Sequence, residues 1–332
     1  MIRTWESPVS NAVGASPEEF LRVLDGPCWI RLRGADPSRT RAVTTLVHGN
    51  ESSGVRALHR FLREHRRAAT DVLALVASVH AALQPPGFAH RMLPGTRDLN
   101  RCFAGPWSDA AGSLAREILD GLQAARPEAL IDLHNTSGAG PSYGVGTRRD
   151  PACLALASLF AVEYVLTDIR LGALMEATAD EFPAVTIECG GAGSTAADEV
   201  AFKGLQGFLC GDVVPESAAA GVAVLEHPVR VCLAPGATLA YSHVPAPGRT
   251  LSLRSDLDQF NSTVLAPGEL LGWTRHTGIL LSAHGSPGGI DLEEAFEVGN
   301  GELRARRGLR LFMATTDVRN ALSDCLFYVI PA

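Results

Sequence analysis

Apolar segments of strand length alternate with segments of helical periodicity through the first two-thirds of the chain. The strand-like segments are rich in aliphatic and β-branched residues, which favour strands buried on both faces. Strands that alternate with helices form a parallel sheet that helices cover on both sides. The sequence therefore predicts a mixed, mostly parallel α/β sheet flanked by helices. The predicted strands are 42–47, 71–79, 129–133, 162–167 and 184–187, and the predicted helices are 54–66, 113–125 and 151–160.

The last third of the chain has a different sequence pattern, in which short strand-like segments are separated by Pro and Gly turns and no helix-length periodic segment is obvious. The phrase Leu-Ala-Pro-Gly occurs at 233–236 and again at 265–268. Pro-Gly suits a type II turn before a strand, so we interpret the phrase as shared turn chemistry rather than as a repeat. We predict a catalytic domain over residues 1–220 and a smaller, β-rich C-terminal domain over residues 221–332.

Composition limits the partners and the compartment. The formal net charge of −7 is spread along the chain, whereas nucleic-acid binding needs a clustered basic face. The seven cysteines form no C-x-x-C pair, which favours free thiols in a reducing compartment. The first residues have no apolar core of signal-peptide length, and no segment approaches the roughly 20 apolar residues that span a bilayer. We expect a cytoplasmic protein with no nucleic-acid or membrane partner. The sequence leaves the oligomeric state open, with a homodimer as one option.

Polar motifs follow three of the predicted strands. In open α/β sheets, ligands bind beyond the carboxyl ends of the strands, so these motifs mark the candidate active site. They are His48-Gly49-Asn50-Glu51, Asp132-Leu133-His134-Asn135 and Glu188-Cys189-Gly190-Gly191.

The first two motifs offer a metal site. His48 and Glu51 stand three residues apart just past a strand, so a single turn of chain lets both side chains converge, and His134 is the natural third ligand. Two histidines and a carboxylate are a common ligand set for a catalytic Zn²⁺, so we predict one zinc per chain. An isolated H-x-x-E pattern is common by chance and usually means a capping His beside a solvated Glu. Asp132 can accept the second ring N–H of His134, or it can cap another group at the strand end.

Acid–base and anion-binding groups accompany the metal motifs. Glu188 follows a predicted buried strand, where burial beside a metal-bound water can tune a carboxylate for base catalysis; the alternative is a salt-bridge partner. Arg101 together with Asn100 can bind a carboxylate, because guanidinium geometry matches it. Arg91 offers a second cation that can polarise a carbonyl. The alternative is that these arginines are surface charges.

Taken together, the motifs resemble the succinylglutamate desuccinylase/aspartoacylase family, which is related to the zinc carboxypeptidases. The similar stretches are H-G-N-E-x-x-G at 48–54, R-D-L-N-R at 97–101, D-L-H-N-T at 132–136 and E-C-G at 188–190. Each motif alone is a weak signal, but their order and their long spacings are those of the family. The resemblance covers roughly residues 40–195.

The resemblance implies a zinc carboxypeptidase-like fold for the catalytic domain and a role for each matched residue. It implies that His48, Glu51 and His134 bind the zinc and that Glu188 acts as general base and acid. It implies that Asn100 and Arg101 bind the substrate carboxylate and that Arg91 polarises the scissile carbonyl, with Arg97 as the alternative. The family's specificity residues have no clear match, although Arg170 and Met175 lie in the right neighbourhood.

The resemblance implies a zinc-dependent hydrolase that cleaves the amide bond of a small N-acyl amino acid. One alternative is a metallocarboxypeptidase that acts on small peptides, and another is an inactive metal- or ligand-binding homologue. The substrate tyrosine of carboxypeptidases has no convincing counterpart, since Tyr164 falls inside a predicted strand; its absence and the β-rich C-terminal domain favour the deacylase. The presence of the metal-ligand residues and of Glu188 argues against an inactive homologue. The acyl group and the amino acid stay open.

Overall fold

The computed structural model describes residues 1–211, 221–285 and 288–332. The chain divides into two compact units. The N-terminal unit comprises Met1–Asn135, Ser142–Val165 and Arg170–Val224, and the C-terminal unit comprises Thr136–Pro141, Leu166–Ile169 and Leu225–Ala332. The predicted boundary between residues 220 and 221 falls at the edge of a segment that lies outside the described residues, so it stays a prediction.

A nine-stranded sheet, counted over the described residues, forms the centre of the N-terminal unit. Its strands are β1 (Arg3–Glu6), β2 (Cys28–Leu32), β3 (Asp36–Thr45), β4 (Thr70–Val76), β5 (Ala129–Thr136), β6 (Tyr143–Gly146), β7 (Glu163–Leu166), β8 (Ala184–Gly191) and β9 (Ala223–Glu226). They lie in the order β1-β2-β4-β3-β5-β8-β6-β7-β9. The β1–β2, β3–β4 and β3–β5 pairs are parallel, whereas β2–β4 and β6–β8 are antiparallel. The mixed, mostly parallel sheet that the sequence predicts is confirmed.

Helices connect these strands and cover the sheet. They are α1 (Pro17–Leu24), α2 (Ser53–Arg63), α3 (Val79–Leu83), α4 (Ala110–Ala125), α5 (Pro151–Ser158), α6 (Leu174–Thr178) and α7 (Thr195–Cys210). Side chains cap several helix N-termini, because they accept a backbone N–H that has no partner within the helix. The capping pairs are Ser16 with Glu19 in α1, Asp109 with Gly112 in α4 and Asp150 with Cys153 in α5.

The strands β3, β5 and β8 are neighbours in the sheet, which brings the three polar motifs to one region. β3 ends at Thr45, shortly before His48, as the pattern predicts. The strands β5 and β8 instead continue past their apolar runs, so His134 and Glu188 lie inside strands rather than after them. The reason in β8 is pairing with β6, where Tyr143 stands opposite Glu188.

Helix α2 approaches the sheet closely through Gly54 in its first turn. A Cβ atom on Gly54 would lie 2.8 Å from the Cβ of Leu133 on β5 and 3.3 Å from the Cβ of Thr45 on β3. Any larger residue would push the helix away from both strands. Glycine at this position therefore holds the segment that carries Glu51 against the strand that carries His134.

The C-terminal unit contains two five-stranded sheets, counted over the described residues. Their strands are β10 (Val229–Leu233), β11 (Leu239–Ser242), β12 (Leu251–Arg254), β13 (Val264–Leu265), β14 (Leu270–Thr274), β15 (Leu281–Gly285), β16 (Phe296–Gly299), β17 (Glu302–Ala305), β18 (Leu309–Phe312) and β19 (Phe327–Pro331). The strand orders are β13-β18-β19-β10-β15 in one sheet and β11-β12-β14-β17-β16 in the other. Their buried side chains form a separate apolar core that includes Leu253, Leu271, Phe296 and Phe327.

The predicted β-rich texture of the C-terminal part is confirmed, with one addition. Two short helices, α8 (Leu292–Ala295) and α9 (Val318–Ser323), interrupt the strands. They are too short to produce the periodic pattern by which a helix is recognised in a sequence. Within the described ranges, no helix combines the length and the apolar character needed to cross a membrane.

Candidate active site

His48, Glu51 and His134 form a buried cluster in the N-terminal unit. The Nδ1 atom of His48 lies 2.8 Å from Oε1 of Glu51, and the Nδ1 atom of His134 lies 2.7 Å from Oε2 of Glu51. One candidate ligand atom from each of the three side chains lies within 4.8 Å of the others. The cluster can hold a metal ion, and the part of the chain that the structure describes contains no other group of three His, Cys, Asp or Glu with such geometry.

An aspartate holds the second ring nitrogen of each histidine. The Nε2 atom of His134 lies 2.8 Å from Asp132, which is the first of the two roles that the sequence leaves open for Asp132, and the Nε2 atom of His48 lies 2.9 Å from Asp98. Both Nδ1 atoms therefore point towards Glu51. A carboxylate behind each imidazole fixes the ring and its tautomer, which is the usual arrangement around metal-binding histidines.

Asp98 has a second role in the local chain. Its Oδ1 accepts the backbone N–H of Asn100 at 2.8 Å and caps a short 3₁₀ turn at Leu99–Arg101. The sequence indicates this turn-forming role, because Asp commonly bonds to the backbone two residues on. It does not indicate the contact with His48, since Asp98 follows a loop with no periodic pattern. The R-D-L-N-R motif was the only signal that could have drawn attention to Asp98.

Opposing electrostatic effects act on the cluster. Burial alone would raise the pKa of Glu51, but the charges and hydrogen bonds of His48 and His134 hold the pKa of Glu51 well below its ordinary value. Burial alone would lower the pKa of His134, but Asp132 and Glu51 raise the pKa of His134 well above its ordinary value. The site thus concentrates negative charge around two imidazoles, which favours a bound cation.

Glu188 lies within electrostatic reach of this cluster and is itself buried. Burial raises the pKa of Glu188 to about 7, and the charge of Glu51 adds to that effect while His134, His48 and Arg91 oppose it. The Oε2 atom of Glu188 is buried with no hydrogen-bond partner among the described residues. A buried carboxylate oxygen without a partner is uncommon, and strain, a bound water or ion, or a catalytic role can account for one.

The two arginines that compete for the carbonyl-polarising role lie in different surroundings. The guanidinium of Arg91 donates to Oδ2 of Asp98 at 2.9 Å and 3.0 Å, and its Nη1 lies 3.5 Å from Oε1 of Glu51. The guanidinium of Arg97 instead donates to Asp109 and to the carbonyl oxygen of Pro106. Arg91 is therefore next to the cluster of His48, Glu51 and His134, whereas Arg97 forms an ion pair nearer the surface.

The side chain of Asn100 supports a neighbouring loop. Its Oδ1 accepts the backbone N–H of Leu174 at 3.0 Å, and the side chain is buried. The same loop is held by Glu176, whose carboxylate accepts the backbone N–H groups of Leu171 and Gly172. The Nδ2 group of Asn100 is the donor of its amide, so it is the part that can bind an acceptor such as a carboxylate.

Arg101 follows in the same 3₁₀ turn and is partly exposed. Its Nη1 donates to the backbone carbonyl of Asn100 at 3.0 Å, and its charge helps to lower the pKa of Asp98. Of the loosely placed specificity candidates, Arg170 is exposed and Met175 is buried. The hydroxyl of Tyr164, on strand β7, donates to the carbonyl oxygen of Arg148 at 2.7 Å.

The sequence matches the model of the succinylglutamate desuccinylase/aspartoacylase catalytic domain over residues 37–205, just over half of the chain. The chain belongs to this family. The family comprises deacylases that act on small molecules, so the coarse assignment of the chain as a deacylase-like enzyme follows. No curated protein matches the sequence significantly.

Solved structures support the same fold at low sequence identity. A succinylglutamate desuccinylase/aspartoacylase from Rhodobacter sphaeroides is 18% identical with a TM-score of 0.59, and the match covers 91% of this chain and 86% of that one. The product-bound ectoine utilization protein EutE (DoeB) from Ruegeria pomeroyi is 19% identical with a TM-score of 0.57, covering 91% and 87%. The succinylglutamate desuccinylase from Chromobacterium violaceum is 17% identical with a TM-score of 0.55, covering 90% and 86%.

Proposed function

We propose that this family member is a zinc-dependent amidohydrolase that removes the acyl group from a small N-acyl amino acid. The observation that carries the proposal is the buried cluster of His48, Glu51 and His134, with a buried carboxylate, Glu188, beside it. The cluster supplies a place for a metal, and Glu188 supplies a group for moving protons.

The donor set fits a catalytic zinc. Two imidazole nitrogens and one carboxylate are typical protein ligands of catalytic Zn²⁺, and they leave a coordination position for water or substrate. Asp98 and Asp132 hold the far nitrogens of the two imidazoles, so the rings are already turned to present Nδ1. When bound, the zinc would polarise the scissile carbonyl and lower the pKa of the attacking water.

Glu188 handles the protons in this proposal. A pKa near 7 allows the carboxylate to accept a proton from the attacking water and then to return it as an acid. The proton passes to the nitrogen of the leaving amine as the carbon–nitrogen bond breaks. The products are a carboxylic acid and a free amino acid, and Glu188 is again a deprotonated carboxylate at the end of the cycle.

Three further side chains orient and stabilise the substrate. The guanidinium of Arg91 lies 3.5 Å from Glu51, and in this proposal it stabilises the negative charge that develops on the carbonyl oxygen. Arg101 and the Nδ2 group of Asn100 bind the carboxylate of the amino acid, which fixes the amide bond relative to the metal.

An assay of one N-acyl amino acid panel against one dipeptide panel tests the proposed function. With zinc-loaded protein, we expect hydrolysis of at least one N-acyl amino acid and a much lower kcat/KM for dipeptides. Preferential cleavage of dipeptides would instead establish a metallocarboxypeptidase. Zinc-loaded, folded protein that turns over neither panel would contradict the proposal.

Substitution of the two competing arginines should separate their roles. We expect Arg91→Ala to lower kcat by about 10²–10³-fold, the usual effect of removing a group that stabilises an oxyanion. Arg97→Ala is the matched control, because its ion pair with Asp109 lies near the surface, where solvent screens ion pairs and they contribute little to stability. Steady-state kinetics on both variants is the measurement. A larger loss of kcat in Arg97→Ala than in Arg91→Ala would reverse the assignment.

The clamp can be tested from the substrate side. We expect Arg101→Ala to lower kcat/KM by a factor that corresponds to a loss of roughly 2–5 kcal/mol of transition-state stabilisation, because the substrate carboxylate loses its charged partner. Amidation of that carboxylate should abolish turnover by the wild type and make little further difference to the variant. Zinc content should stay unchanged. A fall in zinc content or stability of the variant would instead indicate that Arg101 supports the site through Asp98. Equal wild-type turnover of the free acid and its amide would exclude carboxylate recognition.

A further inference from the structure

Asn135 follows the ligand His134 directly, and the proposed mechanism gives it no role. Its side chain is buried, with 3% of the residue exposed, and every polar atom of its amide is used. The Oδ1 atom accepts the backbone N–H of Ser53 at 3.0 Å, while Nδ2 donates to Oγ of Ser53 at 2.9 Å and to the carbonyl oxygen of Gly190 at 3.0 Å. The backbone N–H of Asn135 donates to Oε2 of Glu51 at 3.2 Å.

The contact with Ser53 replaces a missing helix cap. Ser52 occupies the N-cap position of α2, but its side chain makes no capping hydrogen bond. The first backbone N–H groups of a helix need partners from outside it. Asn135 supplies one of them from strand β5. The helix start that follows Glu51 is therefore fixed by a residue of the strand that carries His134.

The contact with Gly190 reaches a third element. Gly190 lies on β8, two residues after Glu188. One amide group thus connects the start of α2, strand β5 and strand β8, and each of these elements carries or adjoins one of the active-site residues Glu51, His134 and Glu188. The network continues outward, since Oγ of Ser53 donates to Asp198 on α7 at 2.6 Å.

We propose that Asn135 is a positioning residue that sets Glu51 and Glu188 relative to one another across the metal-binding cluster. The inference rests on the proposed function and adds a specific claim to it. Without the Asn135 amide, the start of α2 and the end of β8 lose their common attachment, so the ligand geometry and the placement of Glu188 should both relax. A buried amide that serves only stability would affect unfolding without affecting either.

The test measures zinc binding separately from activity. The Zn²⁺ dissociation constants of wild type and Asn135→Ala are determined by competition with a chromophoric chelator, and the visible spectra of the Co²⁺-substituted proteins report ligand geometry. We expect Asn135→Ala to raise the Zn²⁺ dissociation constant about 10–100-fold, as is typical for groups that orient metal ligands. We also expect an altered Co²⁺ spectrum and a kcat that falls by more than KM rises.

A stability control separates positioning from general destabilisation. Leu122→Ala on α4 removes a fully buried apolar side chain outside this network. It should lower Tm while leaving the zinc dissociation constant, the Co²⁺ spectrum and kcat close to those of the wild type. If Asn135→Ala behaves like Leu122→Ala in all of these measurements, the inference is overturned.

Asn135→Asp provides a second variant in case the alanine variant does not fold. Aspartate keeps an acceptor for the Ser53 N–H but places an oxygen against the Gly190 carbonyl, where asparagine donates. We expect zinc to be retained and kcat to fall at least tenfold, and a wild-type kcat in this variant would overturn the inference.

Wild-type protein that binds no zinc would overturn both proposals. Wild-type zinc binding and activity together with unchanged Asn135 variants would overturn only the positioning role.

Discussion

Glu188→Gln should lower kcat by roughly two to four orders of magnitude, the usual contribution of a proton-transfer group, while zinc binding and KM change little. Glutamine has the same shape as glutamate but cannot take a proton from water at neutral pH. The burial that raises the pKa of Glu188 to about 7 matters here, because it allows one group to act first as a base and then as an acid. The measurement is kcat on an N-acyl amino acid together with zinc content.

A glutamate on the surface provides the control for this substitution. Glu199 on α7 pairs with Arg60 at 2.8 Å and is half exposed, so Glu199→Gln makes the same chemical change away from the cluster. We expect it to retain full kcat. A Glu188→Gln variant within tenfold of wild-type kcat would remove Glu188 from the mechanism and leave its buried, unpartnered oxygen without a catalytic explanation.

The sequence predicts the parts of the site that depend on local chain geometry. His48 and Glu51 are three residues apart, and Asp132 and His134 are two apart on a strand, so the spacing allows each pair of side chains to converge. It is the joint match of several motifs to the family that favours convergence over a capping His or a capping Asp132. The cluster of His48, Glu51 and His134 adds one long-range contact, which follows from the adjacency of strands in a parallel sheet.

Contacts made by loops cannot be predicted in this way, because a loop has no regular residue spacing that indicates which side chains meet. Asp98 reaches His48 across 50 positions of sequence, and Asn100 reaches the backbone of Leu174 across 74. Both depend on how an irregular segment packs against the sheet, which the spacing of its residues does not encode. The resemblance to the family identifies Asn100 and Arg101 as important, but only the structure shows that Asn100 also holds the loop at Leu174.

Freshly purified wild-type protein should contain one zinc per chain, and a His48→Ala, His134→Ala double variant should contain almost none. Two of the three ligands are then absent, and Glu51 alone cannot hold the ion against water. Elemental analysis is the primary measurement. Full zinc content in the double variant would show that the ion binds elsewhere.

Loss of zinc must be distinguished from loss of the fold. Removal of His134 leaves Asp132 buried, although Thr44 still donates a hydrogen bond to it, so we expect a destabilisation of about 1–3 kcal/mol. His59→Ala is the matched control. His59 is also a buried histidine, but its ring contacts Phe20 and the carbonyl oxygen of Gly14, so this variant should keep its zinc.

Thermal unfolding with and without zinc completes the argument. A ligand that binds only the folded state stabilises it, by about 2.7 kcal/mol at a concentration 100 times its dissociation constant. Added Zn²⁺ should therefore raise the Tm of the chelator-treated wild type and of His59→Ala, but not that of the double variant. This rise in Tm should become smaller as the pH falls. Burial alone would lower the pKa of His134, but Asp132 and Glu51 raise it well above its ordinary value. A protonated imidazole must lose its proton before it can bind the metal, so zinc binding competes with protonation of His134. An equal rise in Tm for all three proteins would place the stabilising zinc outside the cluster of His48, Glu51 and His134.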